Sequence, residues 1–252
     1  MLVISNLHKS FSRGAADRTV IFSGLDLTVA PGEFVVVVGR NGAGKSTLLN
    51  LITGSDQPDA GRLILAGREI TRVPQEQRST WIGRVYQDPG RGVAPSLTVL
   101  ENLALAASRG GALSLVPGVR SREIKTYTRI LCQLDMGLEG CLTQQVGKLS
   151  GGQKQALALA MVVMARPSLL LLDEHTASLD PGAAQGIQQM TETIVAESGL
   201  TAMMVTHDLA QAVETGNRLI MLDRGEKVLD VSGVAKARLT ASQLMTYYKP
   251  AS

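Results

Sequence analysis

Two glycine-rich turns and one pair of adjacent carboxylates have residue types and spacing suited to chemistry. The first turn, Gly39-Arg40-Asn41-Gly42-Ala43-Gly44-Lys45-Ser46, has the pattern GxxxxGK[ST] and runs on into Thr47. Its glycines let the backbone curl until several N–H groups converge on phosphate oxygens. A helix starting there adds the positive end of its dipole. In that geometry Lys45 reaches the β- and γ-phosphates and the Ser46 hydroxyl sits on Mg²⁺. The carboxylates, Asp173 and Glu174, end the apolar run Ser168-Leu169-Leu170-Leu171-Leu172. Asp173 at a strand end can hold Mg²⁺ directly or through water. Glu174, one residue on, points to the other side and is placed to orient and deprotonate a water. The second turn, Leu149-Ser150-Gly151-Gly152-Gln153, opens a helical stretch at 154–165. Free backbone N–H groups, a hydroxyl and a helix N-terminus make it another anion site. One chain thus carries two phosphate-binding turns and one metal-and-water apparatus. Two half-sites completing each other across a two-fold axis would explain this.

The elements that must position these residues are legible as well. Leu2, Ile4 and Leu7 alternate with polar neighbours as in a strand, 12–19 reads as a turn, and Val20–Val29 alternates again. Glu33–Val38 is a near-continuous β-branched run that fits a strand buried on both faces. The helix Ser46–Ile52 follows the first glycine turn directly. Leu97, Leu100, Leu103 and Leu105 recur at helical spacing, 108–119 is rich in Gly and Pro, and a second helix is expected at about 121–135. Strand character returns at Leu169–Leu172, Thr201–Val205 and Arg218–Leu222, with a helix between at about 182–198 and a last helix at about 234–249. Alternating strands and helices at both ends argue for one α/β domain with a helical stretch inserted in it.

Composition bounds the function classes. Of 252 residues, 44% are hydrophobic and 19% charged, which is the makeup of a globular chain and not of a disordered or collagenous one. A membrane span takes about 20 consecutive apolar residues. The longest apolar run, Ala156–Ala165, stops between Gln155 and Arg166. The opening MLVISNLHKS lacks the basic head and long apolar stretch of a secretory signal, and the two cysteines, Cys132 and Cys141, make no disulfide framework. A cytoplasmic chain is therefore expected. A net charge of +3, scattered basic residues and few aromatics argue against a nucleic-acid partner.

A phosphate-binding turn alone allows kinases, GTPases, helicases and transport motors. The second turn and further markers narrow the choice. Val85-Tyr86-Gln87-Asp88 follows the first lobe, Ser178-Leu179-Asp180 follows the acid pair, and Met204-Val205-Thr206-His207-Asp208 ends a β-branched strand. In order and spacing these markers resemble the ATP-binding subunits of ABC transporters, over nearly the whole chain from about Leu2 to Leu229. The resemblance implies an α/β P-loop NTPase core with a mixed sheet, an N-terminal antiparallel β subdomain and an inserted helical subdomain. Residues 1–87 and 166–230 would form the core, 88–165 the helical lobe and 231–252 a short extension.

The resemblance also implies roles, with ATP and Mg²⁺ as ligands. Phe11 would stack on adenine with Val20 packing nearby, and Gly39, Asn41, Gly42, Ala43, Gly44, Lys45, Ser46 and Thr47 would cradle the phosphates. Ser46, Gln87 and Asp173 would surround Mg²⁺. Glu174 would be the catalytic base, His207 would hydrogen-bond the γ-phosphate, and Gln87 would touch the attacking water and couple to the membrane partner. Ser150, Gly151, Gly152 and Gln153 would close on the ATP held by a second copy, which Asp180 would also contact. Two departures stand out. Gln153-Lys154-Gln155-Ala156-Leu157 replaces a stretch that usually contains Arg, and His175 follows the acid pair where Pro is common; a plain loop role suits His175 better than a catalytic one. Asp173-Glu174-His175-Thr176-Ala177-Ser178-Leu179-Asp180 with Tyr86-Gln87-Asp88-Pro89, Ala94-Pro95-Ser96-Leu97-Thr98 and Glu101-Asn102-Leu103-Ala104-Leu105 is similar to a subgroup of uncharacterised bacterial importers that includes tryptophan/tyrosine systems.

The expectation is an ATP-hydrolysing motor subunit of an importer for a small solute, an amino acid among the candidates. It would be a homodimer held at the cytoplasmic face of the cell membrane by separate permease subunits, served by an extracytoplasmic solute-binding protein. The alternatives are the ATPase of an export, lipoprotein-release or regulatory membrane complex and, further off, a non-transport ABC ATPase.

Overall fold

The computed structural model describes residues 1–12, 18–108 and 121–247, apart from the side chains of 121 and 122. Ten strands and nine α-helices occur among these residues. Strands β1 (Leu2–Ser12), β2 (Arg18–Val29), β4 (Ala60–Leu65) and β5 (Arg68–Glu69) form an antiparallel sheet in the order β2-β1-β4-β5. A second sheet has the order β10-β9-β3-β8-β7-β6, built from β3 (Phe34–Gly39), β6 (Ile82–Val85), β7 (Leu169–Asp173), β8 (Thr201–Val205), β9 (Arg218–Asp223) and β10 (Glu226–Ser232). Its strands pair in parallel except β10, which runs antiparallel to β9. Parallel neighbours require crossovers, and helices α1 (Lys45–Thr53), α6 (Pro181–Ser198) and α7 (Leu209–Glu214) lie in them.

The unbroken apolar run of β3 is explained by what lies on each face. Val35 and Val37 join one core with Leu48, Leu49, Leu51 and Ile52 of α1 and the inner side of the antiparallel sheet. Val36 and Val38 join another with Val195 of α6, Leu209 and Ala212 of α7 and Leu244. Successive side chains of a strand point to opposite faces, so a strand covered on both sides needs apolar residues at every position. Burying one such side chain contributes about 2 kcal/mol. A third core joins α3 (Val99–Ala107), α4 (Ser121–Cys132) and α5 (Gly151–Met164) through Leu103, Leu131, Leu157 and Ala160, and Ile187 connects it to α6.

The remaining helices are short: α2 (Gln75–Arg78), α8 (Gly233–Ala237) and α9 (Ala241–Thr246). The last two correct the expected single helix at about 234–249. Thr240 stops it by starting a new capping box with Gln243. The expected turn at 12–19 is shorter, because Ser12, Arg18 and Thr19 already pair in β1 and β2; residues 13–17 lie outside the described residues. So do 109–119 of the Gly- and Pro-rich stretch. Leu105 is on α3 as its spacing predicts, yet it is 54% exposed. Among the described residues no helix is long and apolar enough to cross a membrane.

Candidate functional site

The first glycine turn joins β3 to α1 at the end of the buried strand. A Cβ on Gly39 would strike the Leu222 carbonyl, and one on Gly44, at φ +100°, would lie 2.8 Å from Phe22 Cζ. Only glycine fits at either place. Gly42, at φ +83°, has open space where a Cβ would be. No side chain caps the first N–H groups of α1. Asn41, Gly42 and Ser46 are exposed, Ala43 and Lys45 buried and Thr47 half-buried. A concave backbone surface with uncapped donors results, which suits a polyphosphate. Lys45 Nζ donates to Gly39 O at 2.7 Å and Arg40 O at 3.1 Å. Burial pushes its ammonium below the usual lysine range, while the Glu174 and Asp173 carboxylates pull it back up.

Asp173 ends β7 and Glu174 follows it. The Glu174 N–H donates to Val205 O at 2.9 Å, stapling the strand end to β8. Glu174 has φ +45°, in the left-handed region that costs a non-glycine residue roughly 1–2 kcal/mol. Its Oε2 meets His207 Nδ1 at 3.0 Å, from the turn between β8 and α7. Asp173 Oδ2 accepts from Arg84 Nη2 at 2.6 Å. Gln87, exposed just beyond β6, lines a cleft together with Asp173 and Ser178, and its carbonyl accepts from Ser178 Oγ at 2.7 Å. The ends of β3, β6, β7 and β8 thus bring Lys45, Gln87, Asp173, Glu174 and His207 around one opening. Phe11 and Val20 sit on paired ends of β1 and β2, both exposed, with Lys9 Nζ 4.7 Å from the centre of the Phe11 ring. Ile21 and Phe22 of the same strand touch the glycine turn.

The second glycine turn lies elsewhere in the fold. Ser150 caps α5, its Oγ accepting from Gln153 N at 3.2 Å while Gln153 Oε1 accepts from Ser150 N at 3.1 Å. Gly151 is exposed. Gly152 is buried, and a Cβ there would come 2.9 Å from Ala183 Cβ on α6. Asp180 caps α6 through Ala183 N and is exposed. Among the described residues no hydrogen bond joins this turn to the turn at Gly39–Ser46.

Sequence reasoning passed over three polar braces. Arg84, a charge in a strand, has no local pattern to mark it. Gln155 is fully buried and donates to Tyr86 O at 2.9 Å and His175 O at 2.7 Å, tying α5 to the segments carrying Gln87 and Glu174. Gln211 accepts from Thr206 Oγ1 at 2.9 Å and donates to Thr176 Oγ1 at 3.1 Å and Gln188 Oε1 at 2.7 Å, joining the turns after Glu174 and before His207. His175, read from sequence as a plain loop residue, is 1% exposed, with Nε2 3.1 Å from Thr191 Oγ1.

Comparison with known proteins bears on this arrangement. The family model described as ABC transporter matches residues 22–177. A tyrosine transport ATP-binding protein of Clostridioides difficile is 41% identical over 99% of both chains. The lipoprotein-releasing system ATP-binding protein LolD of Pseudomonas syringae is 35% identical over 90% of this chain and 97% of its own. Among solved structures, the ATP-binding cassette MJ0796, a dimer in a post-hydrolysis state bound to ADP and Pi, superposes with a TM-score of 0.77 at 29% identity, covering 92% of this chain and 98% of that one. With its two glycine turns, its adjacent acids and its histidine in one α/β frame, this chain belongs to the ABC transporter family as one of its ATP-hydrolysing cassettes.

Proposed function

We propose that this cassette drives a bacterial importer for a small solute, with an aromatic amino acid the first candidate. Two copies would associate head to tail at the cytoplasmic face of the cell membrane, beneath separate permease subunits fed by an extracytoplasmic solute-binding protein. The likeness along the full length to a tyrosine transport ATP-binding protein supports the solute class. The observation that carries the motor reading is the meeting of Lys45, Asp173, Glu174 and His207 at one opening.

The roles follow from placement. Residues 39–47 hold the triphosphate, and Phe11 offers its exposed ring to adenine; Val20, paired with Ser10 and next to Thr19, which pairs with Phe11, belongs to the other face of the ribbon. Lys45 turns from its own loop carbonyls to the β- and γ-phosphates, exchanging neutral acceptors for charged ones. Glu174 accepts the proton of the attacking water, and His207, 3.0 Å away, holds that carboxylate in place and meets the γ-phosphate. Ser46, Gln87 and Asp173 would hold Mg²⁺; among the described residues no group of three or more His, Cys, Asp or Glu could hold a metal unaided. That fits an ion held by one carboxylate and substrate phosphates, where it would neutralise charge on the phosphates. Ser150, Gly151, Gly152, Gln153 and Asp180 would face the nucleotide of the second copy; Leu149 and Leu179 beside them pack in the third core, whereas Ala43 of the cradle packs in the first. Residues 88–165 would form the lobe that meets the permease.

Glu174→Gln tests the reading. ATP affinity should stay within about twofold of wild type while steady-state turnover falls at least about 100-fold. Wild-type turnover in the variant, assayed with the permease present, would remove Glu174 as the base. The likeness to LolD favours a second reading, ATP-driven release of a lipoprotein from the membrane. ATP turnover that rises when a solute-loaded binding protein is added to the reconstituted complex separates import from release.

A further inference from the structure

Asp173 does not stand alone at the opening. Arg84 Nη2 donates to its Oδ2 at 2.6 Å, and Arg84 Nη1 donates to Asn50 Oδ1 at 2.9 Å. The two charged side chains are 12% and 17% exposed, so the pair is largely out of water. The guanidinium also lies 4.9 Å from the centre of the Tyr86 ring, one residue before Gln87, and its Nε is buried without a partner. One planar cation therefore joins β6 to α1 and β7 at the point where a divalent ion would meet the chain. Glu174 has its own partner in His207. Each acid at the opening is thus matched to a side-chain nitrogen of its own chain.

We propose that Arg84 is the resident counter-cation of Asp173, a positioning residue that pairs this carboxylate and sets the threshold at which Mg²⁺ engages it. The inference rests on the reading that Asp173 serves Mg²⁺. Without Arg84, Asp173 would lose the guanidinium bonded to it and Lys45 would be left to face both carboxylates, a site more open to a divalent cation. A guanidinium cannot be deprotonated in a protein, so its pairing persists at every working pH. Its fork is also fixed at the far end by Asn50, so Arg84 can release Asp173 without leaving the site. At an effective dielectric near 20, one unit charge a few ångström from a divalent ion changes its affinity by at least about tenfold.

The test compares the wild-type full chain with R84Q and R84K, reading ADP affinity against Mg²⁺ concentration and Tm against Mg²⁺ without nucleotide. In R84Q the half-saturating Mg²⁺ should fall by at least about tenfold. Mg²⁺ alone should raise Tm, a gain that R84Q/D173N loses. R84K keeps the charge and should follow wild type. A folded R84Q with the wild-type Mg²⁺ dependence overturns the inference. Should R84Q fail to fold, the Arg84 Nε–H resonance of the wild-type chain decides: a shift on adding ADP with Mg²⁺, absent with ADP alone, supports the exchange, and an unmoved resonance overturns it. Wild-type ADP affinity that is equal in Mg²⁺ and in EDTA would instead remove the metal reading itself, and this inference with it.

Discussion

At His175 burial decides charge. Thr191 Oγ1 gives its proton to Ile187 O at 2.7 Å, so it can only accept from His175 Nε2, which fixes the tautomer and leaves Nδ1 a buried, unpartnered acceptor. Desolvation pushes the imidazole pKa down to about 4 from 6.5. The unfolded chain therefore takes up this proton first as pH falls. The stability contribution is complete above pH 6.5 and drains away between pH 6.5 and 4. Between pH 8 and pH 5 the loss from this one group is about 2 kcal/mol. His175→Asn, which cannot titrate, should lack that increment when urea unfolding is compared at the two pH values. An unchanged difference would mean that the ring is hydrated in solution. The residue types at the site proper were legible because each chemical role there demands one type at one spacing. His175, Arg84 and Gln155 were not, because what they do depends on neighbours distant in sequence.

At the scale of elements, the helix that opens at Lys45 is held from its far end. Arg78, fully buried on α2, donates to Leu51 O at 2.7 Å and Ile52 O at 2.9 Å in the last turn of α1, and also to Val73 O and Thr71 O. A cation at a helix C-terminus complements the dipole whose positive end faces the cradle. Arg78→Met should lower unfolding stability by about 3 kcal/mol, since four carbonyls lose their donor. A urea midpoint equal to wild type would show that water replaces the guanidinium without cost. The buried strands β3, β7 and β8 could be read from sequence because burial on both faces writes a continuous apolar run. Strands β4, β6 and β10 could not. Gly83 and Arg84 interrupt the apolar pattern in β6, where Gly83 leaves room for Val162 and Arg84 reaches Asp173. β10 is an edge strand with its charges outward, and Arg218 bonds to its Asp230 at 2.7 Å and to Glu33 at 3.1 Å. These strands are fixed by pairing partners that local composition does not reveal.

For the molecule as a whole, the two glycine turns belong to separate bodies of packing, one on the sheet and one on the third core. A second copy is the economical way to bring such turns together on one triphosphate. Ser150→Arg should abolish ATP-driven dimers of an E174Q background in sedimentation, with the monomer still binding ATP. Unchanged dimers would count against the shared site. Gln155 gives this architecture a mechanical property. Its single amide grips the carbonyls of Tyr86 and His175 at once, and those residues adjoin Gln87 and Glu174. A tilt of α5 therefore pulls on both segments through one side chain, and parting either from Gln155 costs about 1 kcal/mol or more in a buried setting. Such a joint behaves as a gear with one tooth in two wheels, so that a push from the helical side reaches the cleft and the acid in the same stroke.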